Sequence, residues 1–179
     1  MERQKSADAI VVEPIDEGVK DRQFLGHRLT ASGTMGIAPK SLKRVKDRLR
    51  MITRRNRGIS LNKMVLEVNS FTTGWVTYYR HAQCQRTLGK LDGWIRRKLR
   101  CVRLKHCKRT KSIADFLIGN GVPTWPAWLT ALSGKGWWRL AGNAPVQKAM
   151  DTPWFETLGL LRLTQQHAAL NPAGNRRIR

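Results

Sequence analysis

Three stretches of this chain repeat apolar residues at steps of three and four. The same stretches carry almost all of its charge. Leu42, Val45, Leu49 and Ile52 make the first stripe, just after Pro39, a residue suited to a first helical turn. Ser60 can cap a second helix, in which Leu61, Met64, Val65, Val68, Phe71, Thr72, Trp75, Tyr78 and Tyr79 form a broad apolar face. Leu88, Leu91, Trp94, Ile95, Leu99 and Val102 form a third stripe, in a helix expected from about Gln85 to Lys105. The first helix is expected to stop near Gly58, and Gly74 to let another helix approach the second closely. Amphipathic helices joined by short connections hide their stripes against one another, which predicts a small helical bundle.

The charge belongs to that bundle. Lys and Arg number 34 against 12 Asp and Glu, for a net charge of +22. Residues 31–111 alone hold 22 of the basic residues and three acidic ones, or +19. So many uncompensated charges on one folded module repel each other, a cost that mixed signs would avoid. The balance favours a polyanionic partner, with nucleic acid ahead of an anionic membrane surface. Charge by itself does not separate RNA from DNA, because phosphate contacts carry little sequence information.

The flanking segments read differently. Residues 1–38 form an extended lead-in, with strand candidates at Ala9–Val12 and Gln23–Leu29 and a turn from Thr30 to Gly36. Residues 39–111 are the helical domain. Residues 112–179 form an extension of short helices rich in Trp. There Ser112–Asp115 resembles a capping box, and Gly119-Asn120-Gly121 a stop. Pro123–Leu132 follows as a short helix, and helix starts fall at Asn143-Ala144-Pro145 and Thr152-Pro153. The tail from Gln165 to Arg179 is expected to fray. The predicted class is mainly α, with a short N-terminal β remnant, a basic three-helix bundle and a short-helix C-terminal extension.

No run of about 18 apolar residues predicts a transmembrane helix, and Met1–Ile10 lacks the apolar core of a signal peptide. Three cysteines, Cys84, Cys101 and Cys107, argue against a disulfide framework and for a reducing, cytoplasmic setting. Cys101, His106 and Cys107 lack the paired spacing of a zinc site, so no metal and no cofactor is expected. A nucleophilic Cys–His pair is not expected either. Asp47, Glu67 and Asp92 stand singly in the basic region, with Glu67 and Asp92 expected to pair with a neighbouring Arg. No phosphate-cradling glycine loop occurs. These residues assemble no self-sufficient active site. Trp75, Tyr78, Tyr79 and Trp94 share helical spacing with Leu and Val and read as core, stacking on unpaired bases being the alternative. Trp137-Trp138, beside Lys135 and Arg139, is the better candidate for an exposed basic-aromatic contact, against packing between subdomains.

The order of motifs resembles a known family. Lys5-Ser6, Phe24-Leu25-Gly26-His27 and Ile37-Ala38-Pro39-Lys40 resemble the exit from the palm of group II intron reverse transcriptase/maturases. Residues 45–58, with Arg54-Arg55, look like the opening of that family's thumb, or maturase-specific, domain. Residues 69–79, with Gly74-Trp75 and Tyr78-Tyr79, and residues 91–100, with Asp92, Trp94 and Arg96-Arg97, resemble its following helices. Residues 133–140 and 154–160 look like the C-terminal end of bacterial members without an endonuclease.

The resemblance implies intron-RNA binding that supports a folded ribozyme. It does not carry over polymerase activity, because the Tyr-Ala-Asp-Asp-type motif does not occur and the fingers and most of the palm are expected to be missing. The chain is therefore expected not to be an enzyme. The expected RNA-binding residues are Lys43, Arg44, Arg48, Arg54, Arg55, Arg96, Arg97, Arg100, Arg103, Lys105, Lys108 and Arg109. The alternatives are a thumb piece of a split reverse transcriptase docking on a fingers–palm polypeptide, a non-functional mobile-element remnant, and a general DNA binder.

Overall fold

The computed structural model describes residues 22–29 and 33–171. Three short strands, β1 (Arg22–Phe24), β2 (His27–Leu29) and β3 (Met35–Ile37), form an antiparallel sheet in sequence order. Nine helices follow among the described residues: α1 (Pro39–Ile52), α2 (Leu61–Tyr78), α3 (Gln85–Cys107), α4 (Thr110–Gly119), α5 (Thr124–Leu132), α6 (Trp137–Leu140), α7 (Ala144–Ala149), α8 (Thr152–Thr157) and α9 (Leu163–Leu170). The mainly helical class with a short N-terminal sheet is as the periodicity predicts. The Ala9–Val12 strand candidate lies outside the described residues.

The expected strand over Gln23–Leu29 is instead a hairpin. Phe24 pairs with His27 across a two-residue turn in which Leu25 has φ +46° and Gly26 φ +83°. Glycine takes such backbone angles without penalty, whereas leucine does not. The turn is held from outside. Tyr78 donates its hydroxyl to the Leu25 carbonyl, while Tyr79, Ser41 and the Ala38 N–H all donate to the Gly26 carbonyl. A Cβ on Gly26 would lie 2.7 Å from the Tyr79 hydroxyl oxygen, so the site needs glycine for space as well.

The helical core follows the stripes. Val45, Leu49 and Ile52 of α1, Met64, Val65 and Val68 of α2, and Leu88, Leu91, Ile95, Leu99 and Val102 of α3 are buried together. Residues from the C-terminal segment, including Val146, Met150, Phe155 and Leu163, join the same cluster. Helix α1 ends at Ile52, six residues before Gly58, because Thr53 folds its hydroxyl back onto the Leu49 carbonyl and Arg57 donates to the Ile52 carbonyl. Those side chains satisfy carbonyls that another helical turn would have used. Ser60 caps α2 as expected, accepting from the Lys63 N–H.

Helix α4 starts at Thr110, ahead of the Ser112–Asp115 capping box, and no side chain caps it. Its end is a Schellman turn: the Val122 N–H reaches the Leu117 carbonyl, the Gly121 N–H reaches Ile118, and Gly121 has φ +79°. The starts expected at Asn143 and Thr152 are the N-terminal ends of α7 and α8. The expected frayed tail is corrected in part: residues 163–170 form α9, and the residues from 172 lie outside the described set. Two polar clasps on the bundle hold that segment. Asn69 of α2 donates to the Gly159 carbonyl and accepts from the Leu161 N–H. Asp92 of α3 accepts from the N–H groups of Leu163 and Thr164 and from the Thr164 hydroxyl. Asp92 thus caps a helix some seventy residues away instead of pairing with an Arg, which corrects that expectation. Glu67 does pair with Arg57.

Substituting Asp92→Ala removes the acceptor for two backbone donors in the first turn of α9. Stability should fall by about 1–2 kcal/mol, read as a lower urea midpoint at unchanged m-value. Arg100→Ala should cost about 2–3 kcal/mol, since a buried carbonyl then loses a charged double donor.

Candidate nucleic-acid interface

The basic residues fall into three groupings, set by the face of α1 or α3 that carries them. Arg44 and Arg48 of α1 border the first, a cavity of about 630 Å³ walled by Phe71, Trp75, Tyr78 and Tyr79. Tyr79 is buried, as a core reading expects, while Tyr78 is 54% exposed and its ring stacks on His27. The hairpin tip, Leu25-Gly26, closes one side of this cavity. An aromatic wall with two guanidinium groups on its rim suits a flat, electron-rich ring joined to a phosphate.

The second grouping is a chain of alternating cations and rings. Arg50 lies 5.8 Å from the Trp94 centroid, Lys98 lies 5.5 Å from both Trp94 and Trp138, and Arg97 lies 4.2 Å from Trp138. Arg55 and Lys98 also line a small cavity of about 140 Å³ beside Trp138 and Cys101. Burial, then the nearby charges of Arg50 and Arg55, push the Lys98 amine below its ordinary range. Trp138 is 41% exposed, so the Trp137-Trp138 pair splits, one ring packed on the core and one at the surface. Arg50 and Lys98 were not among the expected binding residues. Their signal was present as i, i+4 spacing of Lys98 to Trp94, but which face of α1 meets Trp94 is a tertiary fact.

The third grouping lies on α3 where the C-terminal segment packs on it. Arg96, Arg97 and Arg100 line a polar cavity of about 380 Å³ with Gly93, Ala141, Gly142, Gln147, Asp151 and Thr152. Arg97 donates from Nε and Nη2 to the Trp138 carbonyl. Arg100, one of the expected RNA-binding residues, is covered by the C-terminal segment. It is 8% exposed, donates from Nε and Nη2 to the Met150 carbonyl at 2.9 and 2.7 Å, and lies over the Phe155 ring. Burial, and then the repulsion of Arg96, lower its pKa despite Asp151.

The remaining expected residues disperse. Arg103 lies 4.1 Å from the Phe116 ring centroid. Lys105 donates to Asn56. Lys108, at φ +59°, and Arg109 are exposed at the bend between α3 and α4, and Lys43 and Arg54 are exposed on and just after α1. Among the described residues the ion pairs are Asp47–Arg50, Glu67–Arg57 and Glu156–Arg162, so most of the cations face solvent without a carboxylate. The Arg57 guanidinium holds Glu67 below the usual carboxylate range.

One Cys–His contact does form. Cys84 Sγ lies 3.6 Å from His167 Nε2, and Gln85 Nε2 lies 3.2 Å from His167 Nδ1. Burial pushes the Cys84 thiol up to about 11, which leaves it protonated and a poor nucleophile at neutral pH. Among the described residues, no group of three or more His, Cys, Asp or Glu side chains could hold a metal, and no helix is long and apolar enough to cross a membrane.

Residues 42–116 match the family model described as the group II intron, maturase-specific domain. The match runs from the first stripe residue of α1, through α2 and α3, to Phe116 under Arg103. No curated protein matches the chain significantly.

The raised thiol has a measurable consequence. A thiol ordinarily near 9 loses its proton in the unfolded chain first, and Cys84 keeps its own until about 11. The folded state then binds more protons, so stability falls as pH rises through that window. Urea midpoints should decline from pH 9 to 11, and Cys84→Ala should remove part of the decline.

Proposed function

We propose that this protein binds group II intron RNA and acts by neutralising and positioning it, without catalysing a reaction itself, a reading supported by the match of residues 42–116 to the group II intron, maturase-specific domain. The supporting observation is the surplus of cations on α1 and α3 over the few carboxylates paired with them, mostly exposed on α1 and mostly half-buried from Arg96 to Lys105 on α3, with the exposed rings of Tyr78 and Trp138 nearby. A folded RNA crowds its phosphates. A rigid basic surface lowers that repulsion, and each neutralised phosphate releases counterions. The chemistry of splicing resides in such an RNA and its metal ions, which is consistent with a domain that is the maturase-specific region and not the catalytic palm.

The expected binding residues divide by role under this reading. Lys43, Arg44, Arg48, Arg54, Arg55, Lys108 and Arg109 are exposed and contribute point charges and guanidinium forks to the phosphates. Arg97, Arg100 and Arg103 also shape the protein, through the Trp138 carbonyl, the Met150 carbonyl and the Phe116 ring. The triple variant Lys43→Ala/Arg54→Ala/Arg109→Ala should fold with an unchanged melting temperature. Its plot of log affinity for intron RNA against log salt should be shallower by about 2. An unchanged slope would sink the assignment of those residues.

A second reading has its own support. Phe24 and Leu25, 67% and 69% exposed at the hairpin tip, sit on a sheet of three-residue strands that is short for an isolated unit. A fingers–palm polypeptide would cover them. Co-expression with such a partner should then yield co-purification and primer extension that neither chain shows alone.

A further inference from the structure

The polar cavity between α3 and the α6–α8 segment has two chemically different walls. Arg96 and Arg97, adjacent on α3, and Arg100 one turn further on make one. Gln147, Asp151 and Thr152 make the other. Arg100 is over nine-tenths buried and fixed by the Met150 carbonyl, and Arg97 is fixed by the Trp138 carbonyl and ring. These side chains are therefore ordered before any ligand arrives, which removes an entropic cost of binding. Gly142 makes room for the arrangement, since a Cβ there would lie 2.7 Å from Arg97 Nη2 and 3.0 Å from its Cζ.

Opposite walls imply a ligand with opposite ends. Three guanidinium groups call for a phosphate. The Asp151 carboxylate repels one, so the phosphate has to lie against α3 and an uncharged, donor-bearing part against α7 and α8. Asp151 Oδ1 already accepts from the Trp154 N–H. A carboxylate keeps further lone pairs, and these suit hydroxyl donors. At about 380 Å³ the cavity exceeds a lone phosphate and reaches the size range of small-molecule sites.

We propose that this cavity receives one unpaired ribonucleotide of the bound RNA, with its phosphate on Arg96, Arg97 and Arg100 and its ribose hydroxyls toward Asp151. The inference rests on the RNA-binding reading and deepens it. It supplies what charge alone does not, a contact that distinguishes RNA from DNA through the 2′-hydroxyl.

The test is calorimetric titration of the full chain with uridine 5′-monophosphate, 2′-deoxyuridine 5′-monophosphate, uridine and inorganic phosphate, beside salt-dependent binding of a group II intron RNA. The ribonucleotide should bind, and uridine should bind about tenfold more weakly or not at all. The deoxynucleotide and inorganic phosphate should each be several-fold weaker. Arg96→Ala should weaken ribonucleotide binding about tenfold and leave the melting temperature unchanged. Gly142→Val, which displaces the Arg97 guanidinium without deleting it, should weaken it comparably. Equal binding of ribonucleotide and uridine, or wild-type ribonucleotide binding by Arg96→Ala, would overturn the site. Inorganic phosphate binding as tightly as the ribonucleotide would overturn the nucleotide assignment. If intron RNA binds with a steep salt slope while no mononucleotide binds, the site fails and the RNA-binding reading stands. If the ribonucleotide binds but intron RNA does not, that reading fails, and with it the claim that the occupant belongs to RNA.

Discussion

Helix α3 has to be buried along most of its length while carrying a dense run of cations, and the rest of the molecule is organised around that conflict. At about 1.5 Å per residue its 23 residues span roughly 34 Å. One side offers Leu88, Leu91, Ile95, Leu99 and Val102 to the bundle. The flanks of that stripe are Arg and Lys, and a C-terminal segment lies against them as well. A guanidinium can be covered only where its donors meet acceptors. Backbone carbonyls supply these acceptors, at Trp138 for Arg97 and Met150 for Arg100. Aromatic faces cover the remainder, with Trp138, Phe155 and Phe116 beneath successive arginines. The Trp-rich composition of the C-terminal segment, with Phe116 and Phe155, is the counterpart of the arginine spacing on α3.

Neutral acceptors leave the charge in place. A carboxylate partner would have covered each arginine and cancelled it. A carbonyl or a ring covers it while the positive potential persists at the surface. The scarce carboxylates are spent on geometry: Asp92 and Asp151 cap helices, and Glu67 holds the loop after α1 through Arg57. A surface that is both ordered and unneutralised follows from that division of labour.

Much of the fold was legible in the sequence because the apolar period is local. The stripes of α1 to α3, the Ser60 cap, the glycine stop after α4 and the starts at Asn143 and Thr152 are each readable within a few residues. What was not legible depends on partners far along the chain. The hairpin at Leu25-Gly26 needs hydroxyls from Tyr78 and Tyr79, 53 residues away. The short end of α1 needs the Arg57 side chain, and α9 needs Asp92. The site divides in the same way. That the basic residues cluster on α1 and α3 follows from composition and periodicity. That Arg100 is buried, and that Arg50 and Lys98 bracket Trp94, depends on which faces meet.

The polar clasps on the C-terminal segment bear on the order of assembly. Asn69 and Asp92 reach partners 71 to 92 residues ahead, and Gln166 reaches back to Thr73 across 93. Contacts between successive helices close short loops, whereas these close long ones, which carry a larger entropic cost and form more slowly. Helix α9 packs on both α2 and α3, so the two long helices are joined through the end of the chain as well as directly. A chain stopped before residue 159 would leave Asn69 and Asp92 without these partners and uncover the faces of α2 and α3 on which α9 lies.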